Sequence, residues 1–412
     1  MMKTILHADL NSFYASVEIM QHPELKHKPV AVCGATETRH GIILAKSQLA
    51  KEAGIKTAMT NIEAKCLCPD LIMVPPHYDE YLKYSHLTRQ IYERYTDLVE
   101  PYGMDECWLD VTHSRIYGSG REIAEEIRQT VKSELGLTVS IGISFTKIFA
   151  KLGSDMKKPD AITELPPDVI PKIVYPLPVS NLLYVGPATA AKLRNYAGIS
   201  TIGQLAHARP DMLKDLLGIN GIKLWEFANG IDNARVKHKH YIAPIKSIGR
   251  GITCTEDLHT DEDVWKVMLA LSQDVGHKLR LQHVMATGVQ ISLREKSLLT
   301  RQYQEHLPFP TQSPKYLAQA GKKLLVEKYP WSAPIRAVTI RAINLIPDTT
   351  PQQLDLFTDF ENVDKQEKAE AAIETIRRRF GKRAIVPACL MGDLKMPDDG
   401  RDEVILPGML YI

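Results

Sequence analysis

The sequence predicts an α+β protein of several domains, the first built on a ferredoxin-like sheet. Three observations lead there. A chain of 412 residues exceeds one ordinary domain. Short apolar runs bounded by turn residues alternate with stretches of helical periodicity. The first 165 or so residues run strand, helices, hairpin, helix, strand, helix, an order that suits such a sheet with its helices on one face. Hydrophobic residues make up 44% and charged residues 24%, as in an ordinary soluble globular protein. No apolar run approaches the roughly 18 residues of a membrane span. The opening MMKTILHADLNSFY is no secretory leader, because Asp-Leu-Asn-Ser interrupts its apolar run. A cytoplasmic protein is expected. The six cysteines form no C-x-x-C pair, which predicts reduced thiols rather than disulfides or a zinc site.

Residues 3–9 (KTILHAD) read as a buried strand ending in a carboxylate, with Asn11 or Ser12 capping a helix to about Ile19. Residues 29–33 (PVAVC) and 41–45 (GIILA) read as strands, the second followed by helix up to Gly54. The whole of 11–78 would be an insertion after the first strand. From Tyr81 to Val99, apolar residues at three- and four-residue spacing predict a helix of about five turns. Pro101-Tyr102-Gly103-Met104-Asp105-Glu106 is a turn feeding the strand 107–112. Ile123, Ile127, Val131 and Leu135 mark a second helix, 136–143 a strand and 146–156 a helix; Pro166-Pro167 closes the unit. Residues 168–235 are mostly helical, with glycine turns. The basic, polar stretch around 236–243 reads as a linker. Residues 244–346 form a second α/β unit, with strands at 251–255, 285–293 and 336–344 and helices at 262–281 and 314–328. The tail from 347 carries a charged helix near 364–380 and little else to bury.

The net charge of +2 hides an asymmetry. Residues 168–346 hold 23 Lys+Arg against 14 Asp+Glu, while the segments on either side are mildly acidic. A basic middle suits a phosphate backbone, although this excess is ordinary for its length.

Asp9 at a strand end and Asp105-Glu106 at a hairpin are the chemically interesting carboxylates. Mg²⁺ prefers carboxylate and phosphate oxygens, and a two-metal transfer needs carboxylates that bridge ions about 3.5–4 Å apart. Adjacent residues of a flat strand face opposite ways, so Asp105 and Glu106 share a site only if a turn rotates one of them. Tyr102-Gly103 offers that corner; the alternative is solvated turn residues or caps.

HADLNSFYASVE (7–18), PYGMDECWLDVT (101–112) and SIGISFTKIFAKLGSDMKKPD (140–160) together resemble, in order and spacing, the three motifs of Y-family lesion-bypass DNA polymerases. The resemblance runs from about residue 3 to 346. It implies a right hand: palm 1–10 and 79–167, small fingers 11–78, a helix-hairpin-helix thumb 168–235, a linker 236–243 and an α/β little finger 244–346, followed by a clamp-binding tail 347–412. It implies a low-fidelity translesion polymerase without proofreading, a monomer acting on primer-template DNA and dNTP. Two Mg²⁺ ions would be held by Asp9, Asp105, Glu106 and the backbone carbonyl of Leu10. Tyr14 would block a ribose 2′-hydroxyl, Lys158 would bind triphosphate, and Ile42 and Leu44 would line the nascent base pair. Most relatives carry Tyr and Arg in the fingers as triphosphate contacts; here Gln48 and Lys51 stand there. Lysine is a point charge without the bidentate grip of arginine. The polymerase V catalytic subunit shares that lysine and the asparagine of Asn11.

Leu183 to Leu193, with Gly186 and Lys192, resembles a helix-hairpin-helix that holds phosphate on helix N-terminal amides, and 217–222 a second copy. Lys246 and Arg250 resemble the DNA-contacting opening strand of the little finger, with Arg294, Lys296 and Arg301 adding to that surface. Gln353-Leu354-Asp355-Leu356-Phe357 resembles the peptide that docks on the replication sliding clamp. Arg377, Arg378 and Arg379 are read either as partner contacts or as a solvated face. A non-catalytic relative bridging DNA and clamp is the competing reading, and a nucleotide cyclase a more distant one.

Overall fold

The computed structural model describes residues 2–35, 41–352 and 359–397. They form two compact units divided near Ile242. Among the described residues no helix is long and apolar enough to cross a membrane.

The first unit runs β1 (Ile5–Leu10), α1 (Phe13–Gln21), β2 (Val30–Cys33), β3 (Ile43–Lys46), α2 (Gln48–Glu52), α3 (Asn61–Leu67), β4 (Ile72–Val74), α4 (Tyr78–Tyr92), β5 (Val99–Tyr102), β6 (Glu106–Asp110), α5 (Gly120–Leu135), β7 (Val139–Ser144), α6 (Lys147–Met156) and β8 (Ile162–Leu165), then four short helices, α7 (Pro187–Ala197), α8 (Ile202–Ala206), α9 (Pro210–Leu217) and α10 (Ile219–Ala228). Its main sheet has the order β5-β6-β1-β7-β8, antiparallel except for the parallel pair β7–β8 that α6 connects. Leu6, Ala8, Leu10, Cys107, Leu109 and Ile141 face α4 and α5 across a continuous apolar core. The other face is covered too: α6 lies on it, and Ile5, Trp108 and Ala150 pack together there. The sequence reading put every helix on one face. Instead the central strands are buried on both sides, at every residue of β1 and β7.

Three local readings need correction. Neither Asn11 nor Ser12 caps α1: Ser12 has φ 49° and no capping hydrogen bond, while the Asn11 side chain bonds Ser140 Oγ at 2.9 Å and accepts from the Asp160 N–H at 2.8 Å. The helix expected over 81–99 ends at Tyr92. Tyr95 and Val99 continue its apolar face because they reach the same core, but Thr96 Oγ1 accepts from Leu98 N and donates to Asp110 O, which turns the chain into β5. The basic stretch after 235 is partly docked: Val236 is buried beside Trp108, and the Lys237 and Lys239 amides bond Glu100 Oε2 and Asp97 O at 2.9 Å each.

A smaller sheet of order β3-β2-β4 packs α2 and α3 around Ala31, Ile43, Ala50, Ile55, Ala64 and Leu71. The four short helices share a core that includes Leu193, Ile202, Leu205, Leu213 and Leu224, and Ile148, Phe149 and Leu152 of α6 belong to it too.

The second unit runs β9 (Ser247–Leu258), α11 (Asp261–Leu281), β10 (Val284–Glu295), β11 (Thr300–Thr311), α12 (Pro314–Lys328), β12 (Ile335–Pro347) and α13 (Phe360–Phe380). The sheet order is β11-β10-β12-β9, with α11 and α12 over Val289, Ile291, Leu293, Val338 and Ile340. The tail is not idle. Glu374 of α13 pairs with His277 and Arg280; Arg377 bonds Gln273 Oε1 and the Ile385 carbonyl at 2.9 Å each; Ser313 Oγ donates to the buried Glu370 at 2.7 Å. Arg377 thus ties the helix to Gln273 of α11 and to the segment that follows it, while Arg378 and Arg379 are exposed.

Candidate active site

Antiparallel pairing sets Asp9 of β1 directly opposite Glu106 of β6. Paired residues share a face, so both carboxylates project on the side that α6 covers, with His7 two residues before Asp9. One ligand atom from each of His7, Asp9 and Glu106 lies within 4.8 Å of the others. Asp105 is not in that trio. It lies in the turn before β6, its carbonyl accepting from Leu10 N at 3.0 Å. Gly103, at φ +77°, makes the turn that frees Asp105 from strand alternation.

Two lysines hold this acid cluster. Lys151 Nζ lies 3.2 Å from Asp9, 3.0 Å from Glu106 and 3.2 Å from Asp155. Lys158 Nζ lies 2.8 Å from Asp9 and 2.8 Å from Asp155. Lys151, Asp155 and Lys158 recur at helical spacing, four and three residues apart. Asn11 secures the segment carrying Lys158 by accepting the Asp160 amide. Sequence reasoning missed Lys151 and His7, although both stand inside the quoted motifs.

The electrostatics follow from burial against charge. Burial, then Asp9 and Glu106, raises the Asp105 carboxyl to about 7. Burial pushes Glu106 upward too, but the His7 contact and Lys151 overcome it and hold that group at about 2. Burial raises Asp9 despite Lys158. Burial alone would lower Lys158; Asp9 and Asp155 outweigh it and hold the ammonium above its ordinary value. Burial lowers His7, whose Nδ1 sits 2.8 Å from Ser154 Oγ and whose Nε2 sits 3.2 Å from Glu106 Oε2.

Glu106 Oε2 and His7 Nε2 are buried without a well-formed hydrogen bond. Clustered buried carboxylates, neutralised in the free protein by Lys151 and Lys158, suit a divalent cation with hard oxygen ligands. The residues present fit such an ion.

Tyr14, on α1, is half-buried. Its hydroxyl donates to Met104 Sδ at 3.2 Å, and its ring stacks on Tyr81 at 4.2 Å and 7°. Burial, then Asp105 and Tyr78, pushes the phenol to about 12. Lys51 is exposed on α2; burial and then Lys51 lower Lys46 on the neighbouring strand. Gln48 is turned to Glu52 at 3.0 Å. Ile42 is exposed, and Leu44 packs against the main core.

Gly186 is the N-cap of α7, with Pro187 at the first helical position and no side-chain cap. Lys192 lines a groove with Tyr184, Thr189, Asn220, Lys223 and Phe227. In the second unit Lys246 and Arg294 are exposed. Arg250 does not share the open face of its sheet. It pairs in register with the core residue Ile340 and lies 3.7 Å from Asp274 of α11. Arg341, beside Gly249, belongs to the open face and went unread in the sequence. Arg301 bonds Glu295 at 2.8 Å, and Lys296 lies 4.0 Å from Asp257. Gln353, Leu354, Leu356 and Phe357 lie outside the described residues.

The model of the impB/mucB/samB family matches residues 8–155, and that of the family's C-terminal domain matches 245–356. The chain is 44% identical over 394 residues to DNA polymerase IV of Acetivibrio thermocellus, covering 95% of this chain and 98% of that protein. It is 38% identical over 385 residues to DNA polymerase IV 1 of Bacillus subtilis, covering 93% and 92%. Among solved structures, a Y-family DNA polymerase chimera superposes with a TM-score of 0.72 at 22% identity, over 84% of this chain and 99% of the other.

Proposed function

The chain belongs to the impB/mucB/samB family of DNA polymerase IV proteins, and on that premise we propose how its residues act. It is a DNA-directed DNA polymerase that performs translesion synthesis on primer-template DNA with deoxynucleoside triphosphates. The observation that carries the proposal is the pairing of Asp9 with Glu106, with Asp105 in the adjoining turn and two lysines against them.

In our reading Asp9, Asp105, Glu106 and the Leu10 carbonyl hold two Mg²⁺ ions. Held there, they would supply the charge that acidifies the primer 3′-hydroxyl and steadies the leaving pyrophosphate. Lys158, which neutralises Asp9 in the free protein, turns to the triphosphate, with Lys51 as a second, monodentate cation on the fingers. Lys151 stays with the carboxylates and limits their mutual repulsion. Tyr14 excludes a ribose by volume, while Ile42 and Leu44 meet the nascent pair. The palm, fingers, thumb and little finger keep the bounds given above. The amides after Gly186, with Lys192, and the cations Lys246, Arg294 and Arg341 grip the phosphate backbone without reading sequence. Arg250 acts there only if it leaves Asp274. The protein works in the cytoplasm as a monomer.

Primer extension on an abasic-site template, with Mg²⁺ and all four dNTPs, tests this. Products longer than the lesion position are expected. DNA binding without extension on undamaged template, under any divalent cation, would establish the scaffold reading instead.

The segment Gln353-Leu354-Asp355-Leu356-Phe357 docks on the sliding clamp. Replacing Leu354, Leu356 and Phe357 together by alanine should cut clamp-stimulated extension by at least about tenfold and leave clamp-free extension unchanged, since avidity rather than chemistry is lost. Equal stimulation of parent and variant would remove the clamp from the proposal.

A further inference from the structure

We infer that Glu18 is a positioning residue for sugar selection, acting through Tyr81 on Tyr14; this rests on the reading of Tyr14 as the barrier to ribose. Glu18 lies on α1 and is only 2% exposed. A buried carboxylate is costly unless hydrogen bonds satisfy it, so a site asking only for packing would be better served by leucine. Two groups satisfy this one. The Tyr81 hydroxyl donates to Glu18 Oε1, and His77 Nδ1 lies 3.0 and 3.1 Å from the two carboxylate oxygens.

Tyr81 is fully buried on α4, and its ring is the surface on which Tyr14 lies, nearly parallel at 4.2 Å. Tyr78 meets both rings edge-on, at 6.1 Å from Tyr14 and 5.8 Å from Tyr81. Stacked rings slide over one another at little cost, so stacking alone fixes a plane and not a position. Tyr14 is held at its rim by Met104 Sδ. Tyr81 is held at its rim by Glu18. Without that acceptor the buried Tyr81 hydroxyl loses its partner, and the ring shifts or tilts to find another. The plate on which Tyr14 rests then moves with it. Exclusion by volume tolerates little displacement, because one added oxygen is all that separates ribose from deoxyribose. Glu18 touches neither nucleotide nor metal in this scheme; it sets the position of the residue that does.

The test is single-nucleotide insertion on undamaged primer-template, with kcat and KM measured for a dNTP and its matching rNTP. Tyr14→Ala should lower selectivity for the dNTP by about a hundredfold, and Glu18→Leu and Tyr81→Phe by about tenfold each, through better use of the rNTP. In both of the latter, kcat for the dNTP should stay within about threefold of the parent. Glu18→Gln keeps an acceptor for the Tyr81 hydroxyl and should restore selectivity. The Glu18→Leu, Tyr81→Phe double variant should be no less selective than either single one, because both remove the Tyr81–Glu18 bond. Parental selectivity in Glu18→Leu, beside a loss in Tyr14→Ala, overturns the inference and leaves the gate standing. So does an equal fall in the use of both nucleotides, the mark of a merely structural role. Unchanged selectivity in Tyr14→Ala sinks the gate and the inference together. Should Glu18→Leu fail to fold, Tyr81→Phe decides by the same criteria.

Discussion

Asp105→Ala is expected to abolish primer extension, lowering kcat by at least about 10³-fold, while primer-template binding measured by fluorescence anisotropy persists. The carboxyl lies in the turn between β5 and β6, and its own field comes largely from Asp9 and Glu106. A buried carboxylate in the field of two others tolerates ionisation only beside strong positive charge. Lys151 and Lys158 supply that charge to Asp9, and Lys151 to Glu106, while burial first, then Asp9 and Glu106, raises Asp105. Its pKa stands near 7 against an ordinary 3.8. A folded value raised above the unfolded one gives a stability contribution that is complete below pH 3.8 and is lost as pH rises through about 7. In EDTA, Asp105→Asn should therefore melt higher than the parent at pH 8, with the difference vanishing near pH 4. Divalent-cation binding needs the ionised carboxyl, so parental cation affinity should climb up to about pH 7 and level off above it. A fully active Asp105→Ala would refute the assigned site.

How much of this was readable beforehand depended on whether a role lives in one segment or between two. β1, β7, α5 and α6 were legible because short, largely apolar runs bounded by turn residues and a clean helical face stand in the sequence. The end of α4 was hidden because residues past Tyr92 still feed the core that the helix feeds. β11 was missed altogether: TRQYQEHLPFPT is mostly polar in its first half and carries two prolines in its second, as suits an edge strand with one wet face. The docking of α13 was invisible because ion pairs and hydrogen bonds hold a polar helix in place without a hydrophobic stripe. Asp9, Asp105 and Glu106 were singled out through their motifs. That Asp9 stands opposite Glu106, with Lys151 across both, depends on strand register and on which face α6 covers. Arg250 shows the converse: its motif was recognised, but register turns it toward α11.

Gly142→Val should cost several kcal/mol of stability, of the order of 3–5, and lower the melting temperature by roughly 10 °C or more. Gly142 lies in the middle of β7, opposite His7, on the face that α6 crosses. A Cβ built there runs into the Ala150 carbonyl oxygen and the Ser154 amide, both backbone atoms of α6, and lies 2.8 Å from the carbonyl carbon of Gly153. Backbone cannot swing aside as a side chain can, so the helix must lift off the sheet or the strand must bow. Either movement reaches the site, because the turns of α6 pressed against Gly142 carry Lys151 and Ser154. Lifting α6 draws Lys151 from Asp9 and Glu106 and Ser154 from His7, leaving buried charge unpaired. Any folded Gly142→Val protein should therefore lose activity more steeply than stability, and EDTA should destabilise it more than the parent. Ala at the same position should show a milder form of the same defect. A variant that melts like the parent would mean that α6 does not press on β7 here, and that Lys151 is held over the carboxylates by something else.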